Sequence, residues 1–285
     1  MQTLSLLIRQ LRPKQWTKNL LVFAALLFSF QFLHIESIML ALFGFFAFSF
    51  VASSIYIMND YMDIEADRNH PTKKNRPMAS GNLNLRVALV TGGMLLIVAM
   101  VASLLINSLF FLILLVYFVE NILYTFKLKH VVIIDMMLIA FGFVLRAIGG
   151  AVIIDVPFTP WFLLCAMLLS LFLAIGKRRH ELTIESNNHR KVLDDYSLPF
   201  LDQLMSIVTA ATIVSYAVFT FTAGETVHLM WTIPFVIYGI FRYLYLVHIK
   251  KQGGAPEKVL LEDKHILVTV LLYVISVVII LTFFN

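Results

Sequence analysis

Residues 38–58 read IMLALFGFFAFSFVASSIYIM, and residues 59–68 continue as NDYMDIEADR. The first stretch carries no charged side chain. It is long enough to cross the hydrocarbon of a bilayer as a helix, which takes about 20 residues. Backbone groups in lipid must be paired within the segment, so a helix is the default. The second stretch is dense in carboxylates. If the helix runs on, Asp60, Asp63 and Asp67 fall at i, i+3 and i+7 and share one face. Asn59, four residues before Asp63, joins that face. Carboxylates clustered at a membrane surface repel one another unless a cation lies between them. Hard oxygen ligands with open positions suit Mg²⁺, which binds through carboxylates together with substrate phosphates. The plain alternative is a solvated helix end bearing ordinary acids.

The rest of the chain agrees with a membrane reading. Of 285 residues 60% are hydrophobic and 14% charged, whereas a soluble domain carries roughly 25% charge. About nine apolar segments, at 19–34, 38–58, 86–106, 108–125, 132–153, 159–176, 204–223, 229–248 and 265–284, are long enough to span. Short connections at Asn107-Ser108 and around Gly224 favour antiparallel neighbours. The alternating pattern of a β-barrel is absent. The expectation is an all-α, polytopic membrane protein of about nine transmembrane helices, with 1–285 as a single integral-membrane domain. The lone Cys165 excludes an internal disulfide or a multi-thiolate zinc site. Met1 to Lys18 reads as an amphipathic basic segment rather than a cleaved signal.

Lys and Arg set the orientation. With nine spans, one face receives the N-terminus and the loops 59–85, 126–131, 177–203 and 249–264. Those segments and their helix ends hold the basic residues from Arg9 and Arg12 through Lys177, Arg178, Arg179 and Arg190 to Lys258 and Lys264. The opposite loops hold none, and Arg146 and Arg242 fall inside spans. The basic face is therefore placed in the cytoplasm, with the N-terminus inside, the C-terminus outside and the plasma membrane as location. The two longest loops lie on that face, where any chemistry is expected. A net charge of +5 with this distribution implies no nucleic-acid partner.

After the acidic run the chain continues RNHPTKKNRPMASG over 68–81. The N-D-x-x-D-x-x-x-D-R run with R-P-x-A-S-G resembles the first aspartate motif of the UbiA superfamily of membrane prenyltransferases. The H-P-x-K-x-x-R-P stretch resembles the decaprenyl-phosphate (polyprenyl-phosphate) phosphoribosyltransferase branch. So do Arg12 to Asn19, Tyr124 to Lys129 running on to Asp135, Gly142 to Ile148, Gly176 to Leu182 and the tail 255–263. The resemblance implies a UbiA-like helical bundle, a phosphoribosyl diphosphate donor, a polyprenyl phosphate acceptor and Mg²⁺. It implies Asn59, Asp60, Asp63 and Asp67 as the metal set. It implies substrate contacts from Lys14, Lys18, Asn19, Lys73, Arg76, Tyr124, Lys127 and Arg146. Ordinary members carry a second acidic motif after the sixth span. Here that place holds Lys177, Arg178, Arg179 and Glu181, a cationic loop suited to gripping phosphate directly.

Several residues keep two readings. Arg146, near a span centre, either meets a substrate phosphate or pairs structurally with an acid such as Glu120. Asp135 either joins the metal site or pairs with Lys127 or Lys129. Trp16 reads as an interfacial anchor. Two rival functions remain. One is a prenyltransferase moving a prenyl group from its diphosphate to an aromatic or small acceptor. The other is a transporter or lipid-binding protein without catalysis. Oligomeric state is not legible.

Overall fold

The computed structural model describes residues 2–71, 73–183, 191–222, 226–254, 259 and 262–284. His189, Arg190, Gly224, Lys258, Asn285 and most of the tail 255–263 lie outside them. Regular structure among the described residues is helical: α1 Gln2–Leu11, α2 Val22–Phe28, α3 Ile35–Met62, α4 Ile64–Arg68, α5 Leu85–Ile106, α6 Ser108–Phe126, α7 Ile134–Ile153, α8 Pro160–Thr183, α9 Leu198–Thr222, α10 Ile233–His248 and α11 Lys264–Phe283. Short 3₁₀ segments join several of them.

Eight helical stretches among the described residues are long and apolar enough to span a membrane: α3, α5 to α9, the stretch Val227–His248 and α11. The ninth expected span, 19–34, is broken. It is a 3₁₀ helix Pro13–Leu21, then α2, then a 3₁₀ turn Gln31–Leu33. The reason lies in side-chain spacing. In a 3₁₀ helix residues three apart line one face, which aligns Trp16, Asn19 and Val22. Trp16 Nε1 donates to Ser53 Oγ at 3.0 Å and Asn19 Nδ2 to Ser49 Oγ at 2.9 Å. Trp16 is thus pinned to α3 through Ser53, with its ring edge-on to Phe46 and Phe50, and is more than an interfacial anchor.

The chain divides into two compact units. Unit 1 is Met1–Leu26, Gln31–Phe126 and Leu145–Val156; unit 2 is Leu27–Phe30, Lys127–Val144 and Pro157–Asn285. In unit 1, α3 buries small and hydroxyl side chains: Ala41, Gly44, Ala47, Ser49, Ser53 and Ser54. α5 buries Ala88, Gly92, Ala99 and Ser103 while Val90, Met94, Ile97 and Leu105 point outward. Lipid is as apolar as leucine, so close packing of small residues decides the inside. Ser54 Oγ donates to the Gly92 carbonyl at 2.7 Å across that contact. Phe48, Phe110, Leu114 and Leu145 fill the centre. A Cβ on Gly150 of α7 would lie 2.2 Å from the Val22 carbonyl oxygen, so only glycine admits that backbone.

Unit 2 packs α8 to α11 and the N-terminal part of α7 around Met136, Phe172, Leu201, Met205, Ile240 and Tyr243. Val192, Leu193 and Tyr196, from the segment after α8, belong to this core. A second cluster seats Phe28 and Phe30 beside Leu229 and Ile280.

Candidate active site

The acidic motif sits at the end of α3. The helix stops at Met62, Asp63 forms the junction, and α4 resumes at Ile64. Asp60 and Asp67 are buried, while Asp63 is exposed. The expected common face of three carboxylates is therefore two carboxylates held together and a third turned to solvent. Arg76 brings the buried pair together. Its Nη1 donates to Asp60 Oδ1 at 2.9 Å and to Asp67 Oδ2 at 2.5 Å. Arg12 Nη2 donates to both Asp60 oxygens, at 2.5 and 2.8 Å, and Gln10 Nε2 donates to Oδ2 at 2.7 Å. Buried carboxylates need such partners, because an unpaired charge away from water is costly.

The N-terminal helix supplies half of this arrangement. Leu6, Leu7 and Leu11 of α1 pack on Ile57, Met78, Leu83 and Ala88. That contact delivers Arg9, Gln10 and Arg12 to the end of α3. Arg12 adopts a left-handed backbone, φ 54° and ψ 57°, a conformation costing about 1–2 kcal/mol for a residue with a Cβ. Its bonds to Asp60 and the Tyr56 ring, 5.0 Å from the guanidinium carbon, hold it there.

Arg9, Gln10, Arg12, Asp60, Lys73, Arg76 and Pro77 line a cavity of about 290 Å³. Four cations thus face one carboxylate. Gln10 Oε1, on the side chain that donates to Asp60, and Asn59 Oδ1, on the residue before Asp60 in the chain, are buried oxygens with no hydrogen-bond partner in the structure. Carboxylate and amide oxygens of this kind are the donor chemistry that suits Mg²⁺. Among the described residues no three His, Cys, Asp or Glu side chains gather as a metal cage. Mg²⁺ needs none, since it binds through one or two carboxylates plus substrate phosphates.

Other expected site residues are distributed elsewhere. In unit 1, Asn19 is buried and its Oδ1 accepts from Arg146 Nε at 2.7 Å. Arg146 Nη2 donates to Tyr117 Oη at 2.7 Å, with its guanidinium 4.7 Å from that ring's centroid. Asn19 and Arg146 therefore belong to an internal polar cluster. Lys14 is exposed, and Lys18 and Tyr124 are half-buried.

In unit 2, Lys127 is exposed and Lys177 half-buried. The expected cationic loop is in fact the last turns of α8, which runs to Thr183. Arg178 is fully buried and bound to Asp135 Oδ2 and Glu181 Oε2, both at 2.6 Å. It forms a buried ion pair, and of the readings Asp135 carried, pairing with a base is the one seen, with Arg178 as the base. Tyr196 Oη donates to Asp135 Oδ1 at 2.8 Å and accepts from the Ile133 backbone N–H at 2.6 Å. Burial raises the Tyr196 hydroxyl above its usual range, so it stays a donor at neutral pH. Arg179 Nε donates to Asp202 Oδ1 at 2.6 Å.

Arg9 and Gln10 are site residues that the sequence motifs do not single out, and Arg12 opens a resembling stretch but carries no assigned role there. Their signal is nonetheless there: two arginines three apart close an amphipathic helix that carries leucines on its other side. In a charge count the two arginines register only as part of the basic face.

The UbiA prenyltransferase family matches residues 19–265. The decaprenyl-phosphate phosphoribosyltransferase of Mycolicibacterium smegmatis is 34% identical, over 90% of this chain and 86% of that one. The protein of the same name from Corynebacterium glutamicum is 36% identical, over 95% of this chain and 85% of its own length. The structure of a UbiA homolog from Archaeoglobus fulgidus bound to GPP and Mg²⁺ superposes with TM-score 0.73 at 18% identity, covering 96% of this chain and 99% of that one. The last likeness establishes the fold. Taken with the eight apolar helices, the family match makes this a multi-pass membrane transferase: the chain belongs to the UbiA prenyltransferase family.

Proposed function

We propose that the chain moves the 5-phosphoribosyl group of phosphoribosyl diphosphate onto a polyprenyl phosphate. The reaction would be Mg²⁺-dependent, at the cytoplasmic face of the plasma membrane, with the N-terminus inside and the C-terminus outside. The whole chain, 1–285, acts as one transferase domain. The observation that carries the reading is the cavity lined by Arg9, Arg12, Lys73 and Arg76 against Asp60. It is small and polar, suited to a compact, highly anionic ligand rather than to an apolar chain. The names of the two actinobacterial relatives support the same donor and acceptor.

In this reading Asp60 and Asp67, with Asn59 and with Asp63 at the helix junction, are the residues that would hold Mg²⁺. When bound, the cation neutralises charge gathering on the departing diphosphate. Arg12 and Arg76 orient the same group by charge-assisted hydrogen bonds. An oxygen of the acceptor phosphate attacks the anomeric carbon as its bond to diphosphate breaks, and diphosphate leaves. That oxygen is already ionised at neutral pH, so no general base is required. Lys14, Lys18 and Tyr124 of unit 1 are candidates for gripping a substrate phosphate, and so, separately, are Lys127, Lys177, Arg178 and Arg179 of unit 2. Asn19 and Arg146 act as positioning residues within unit 1.

A second reading, prenyl transfer from a prenyl diphosphate, is favoured by the GPP and Mg²⁺ bound to the Archaeoglobus fulgidus protein. Purified protein offered each labelled donor in turn separates the two. We expect Mg²⁺-dependent labelling of polyprenyl phosphate from phosphoribosyl diphosphate, abolished by chelation. Consumption of prenyl diphosphate alone would select the second reading.

A further inference from the structure

The cations of the cavity are graded from floor to rim. Asp60 and Asp67 are buried. Arg12 and Arg76, which hold them, are half-buried, each with a side chain 28% exposed. Arg9 and Lys73 are exposed, and among the described residues their side chains have no hydrogen bond or ion pair. The two inner arginines thus already balance the two carboxylates. The two outer cations are surplus to that balance, and they face the same cavity.

Surplus cations on a shared cavity need a reason beyond the first anionic group. A diphosphate bound at the floor would be met by Arg12 and Arg76, with Asp60 and Asp67 facing a cation rather than the diphosphate itself. A donor with an apolar remainder would offer Arg9 and Lys73 no anion, and these exposed cations would stay hydrated. A donor with a second phosphate group places its other anion at the rim. Both residues are anchored for that. Arg9 rides on α1, whose leucines pack on Ile57, Met78 and Leu83. Lys73 opens a 3₁₀ turn whose carbonyl accepts from the Arg76 N–H at 2.9 Å. The turn thus links the rim cation to the floor cation.

We propose that Arg9 and Lys73 form a separate subsite for a phosphate monoester, the second phosphate of the donor, and thereby set donor specificity. This inference rests on the phosphoribosyl-transfer reading and deepens it. Arg9 supplies a bidentate fork and Lys73 a mobile point charge. Neither touches the reacting bond.

The test uses the full-length protein with saturating polyprenyl phosphate and two donors, phosphoribosyl diphosphate and ribose 1-diphosphate, which lacks the monoester. Wild type should prefer the first by roughly ten- to hundredfold, the range for lost charge-assisted hydrogen bonds. Arg9→Gln and Lys73→Gln should each lower kcat/KM for phosphoribosyl diphosphate about tenfold. Their rates with ribose 1-diphosphate and their KM for polyprenyl phosphate should stay within about twofold, and Arg9→Lys should recover part of the loss. Ribose 5-phosphate binding, measured by titration calorimetry without turnover, should weaken in both variants. Equal losses on both donors would assign the pair to the diphosphate and overturn the proposal. A shift confined to the acceptor KM would assign the pair to the lipid phosphate and overturn it too. Undiminished ribose 5-phosphate binding in both variants would have the same consequence. If wild type used neither ribosyl donor yet bound ribose 5-phosphate through Arg9 and Lys73, the transfer reading would fail and the monoester subsite would stand.

Discussion

Arg178 of α8 reaches Asp135 of α7 at 2.6 Å with both side chains removed from solvent. Tyr196 closes the other carboxylate oxygen. Through the Tyr196 hydroxyl the pair ties the segment carrying Val192, Leu193 and Tyr196 into the unit 2 core. A buried pair that loses one member leaves an uncompensated charge, at about 3–5 kcal/mol. Arg178→Ala and Asp135→Ala should therefore lower the melting temperature and the yield of folded protein sharply. The double variant Arg178→Leu/Asp135→Leu should recover part of the loss. A well-folded Arg178→Ala protein with only a raised donor KM would show that the arginine serves substrate instead.

The motif carboxylates should respond differently. Asp60→Asn and Asp67→Asn remove charge from oxygens proposed to meet the cation, and turnover should fall by at least about a hundredfold. Both leave Arg12 or Arg76 with hydrogen-bond acceptors, so the protein should still insert and purify. Asp63→Asn, at an exposed position, should fall less. Near-normal turnover in the Asp60 variant would remove the motif from the chemistry.

How much of this is legible in the sequence varies with the physics. Apolar runs announce spanning helices because lipid leaves the backbone no alternative, and eight of the nine expected segments are such helices. The ninth differs because length and hydropathy carry no record of hydrogen-bonding partners. Trp16 and Asn19 are three apart to meet Ser53 and Ser49 of α3, a pairing that only the packed structure displays. Asp60 and Asp67 are recognisable from spacing, but the exposure of Asp63 depends on where α3 stops. The arginines of α8 look like a free loop because their partners, Asp135 and Asp202, are distant in sequence.

Gly150 offers a packing test independent of the site. An added methyl would collide with the Val22 backbone, which cannot rotate away as a side chain can. Gly150→Ala should destabilise by about 1–3 kcal/mol or more, read as a lowered melting temperature in detergent. Gly93→Ala, where the added Cβ meets nothing within 4 Å, is the control and should be neutral or slightly stabilising.

The acid limb of stability should report Asp263. Hydrogen bonds from Arg242 hold its carboxyl below the usual carboxylate range. A depressed folded-state pKa means the contribution is fully present above the unfolded value, about 3.9. It is lost as pH falls through the lower folded value. Asp263→Asn keeps the cap on the Ile266 N–H and removes the titrating charge. Its melting temperature should lie below that of wild type at pH 6 to 7, and the gap should narrow as pH falls toward 3. A constant gap across that range would exclude the pair as an acid-sensitive element.

The most direct measurement of the central claim is the identity of the product. Purified protein, Mg²⁺, phosphoribosyl diphosphate and a polyprenyl phosphate are incubated, and the lipid is analysed by mass spectrometry while released diphosphate is quantified. The phosphoribosyl reading predicts a lipid that has gained one phosphoribosyl group for each diphosphate released, with no product when Asp60 is replaced by Asn. An unmodified polyprenyl phosphate, together with a prenylated small acceptor formed from prenyl diphosphate under the same conditions, would contradict it.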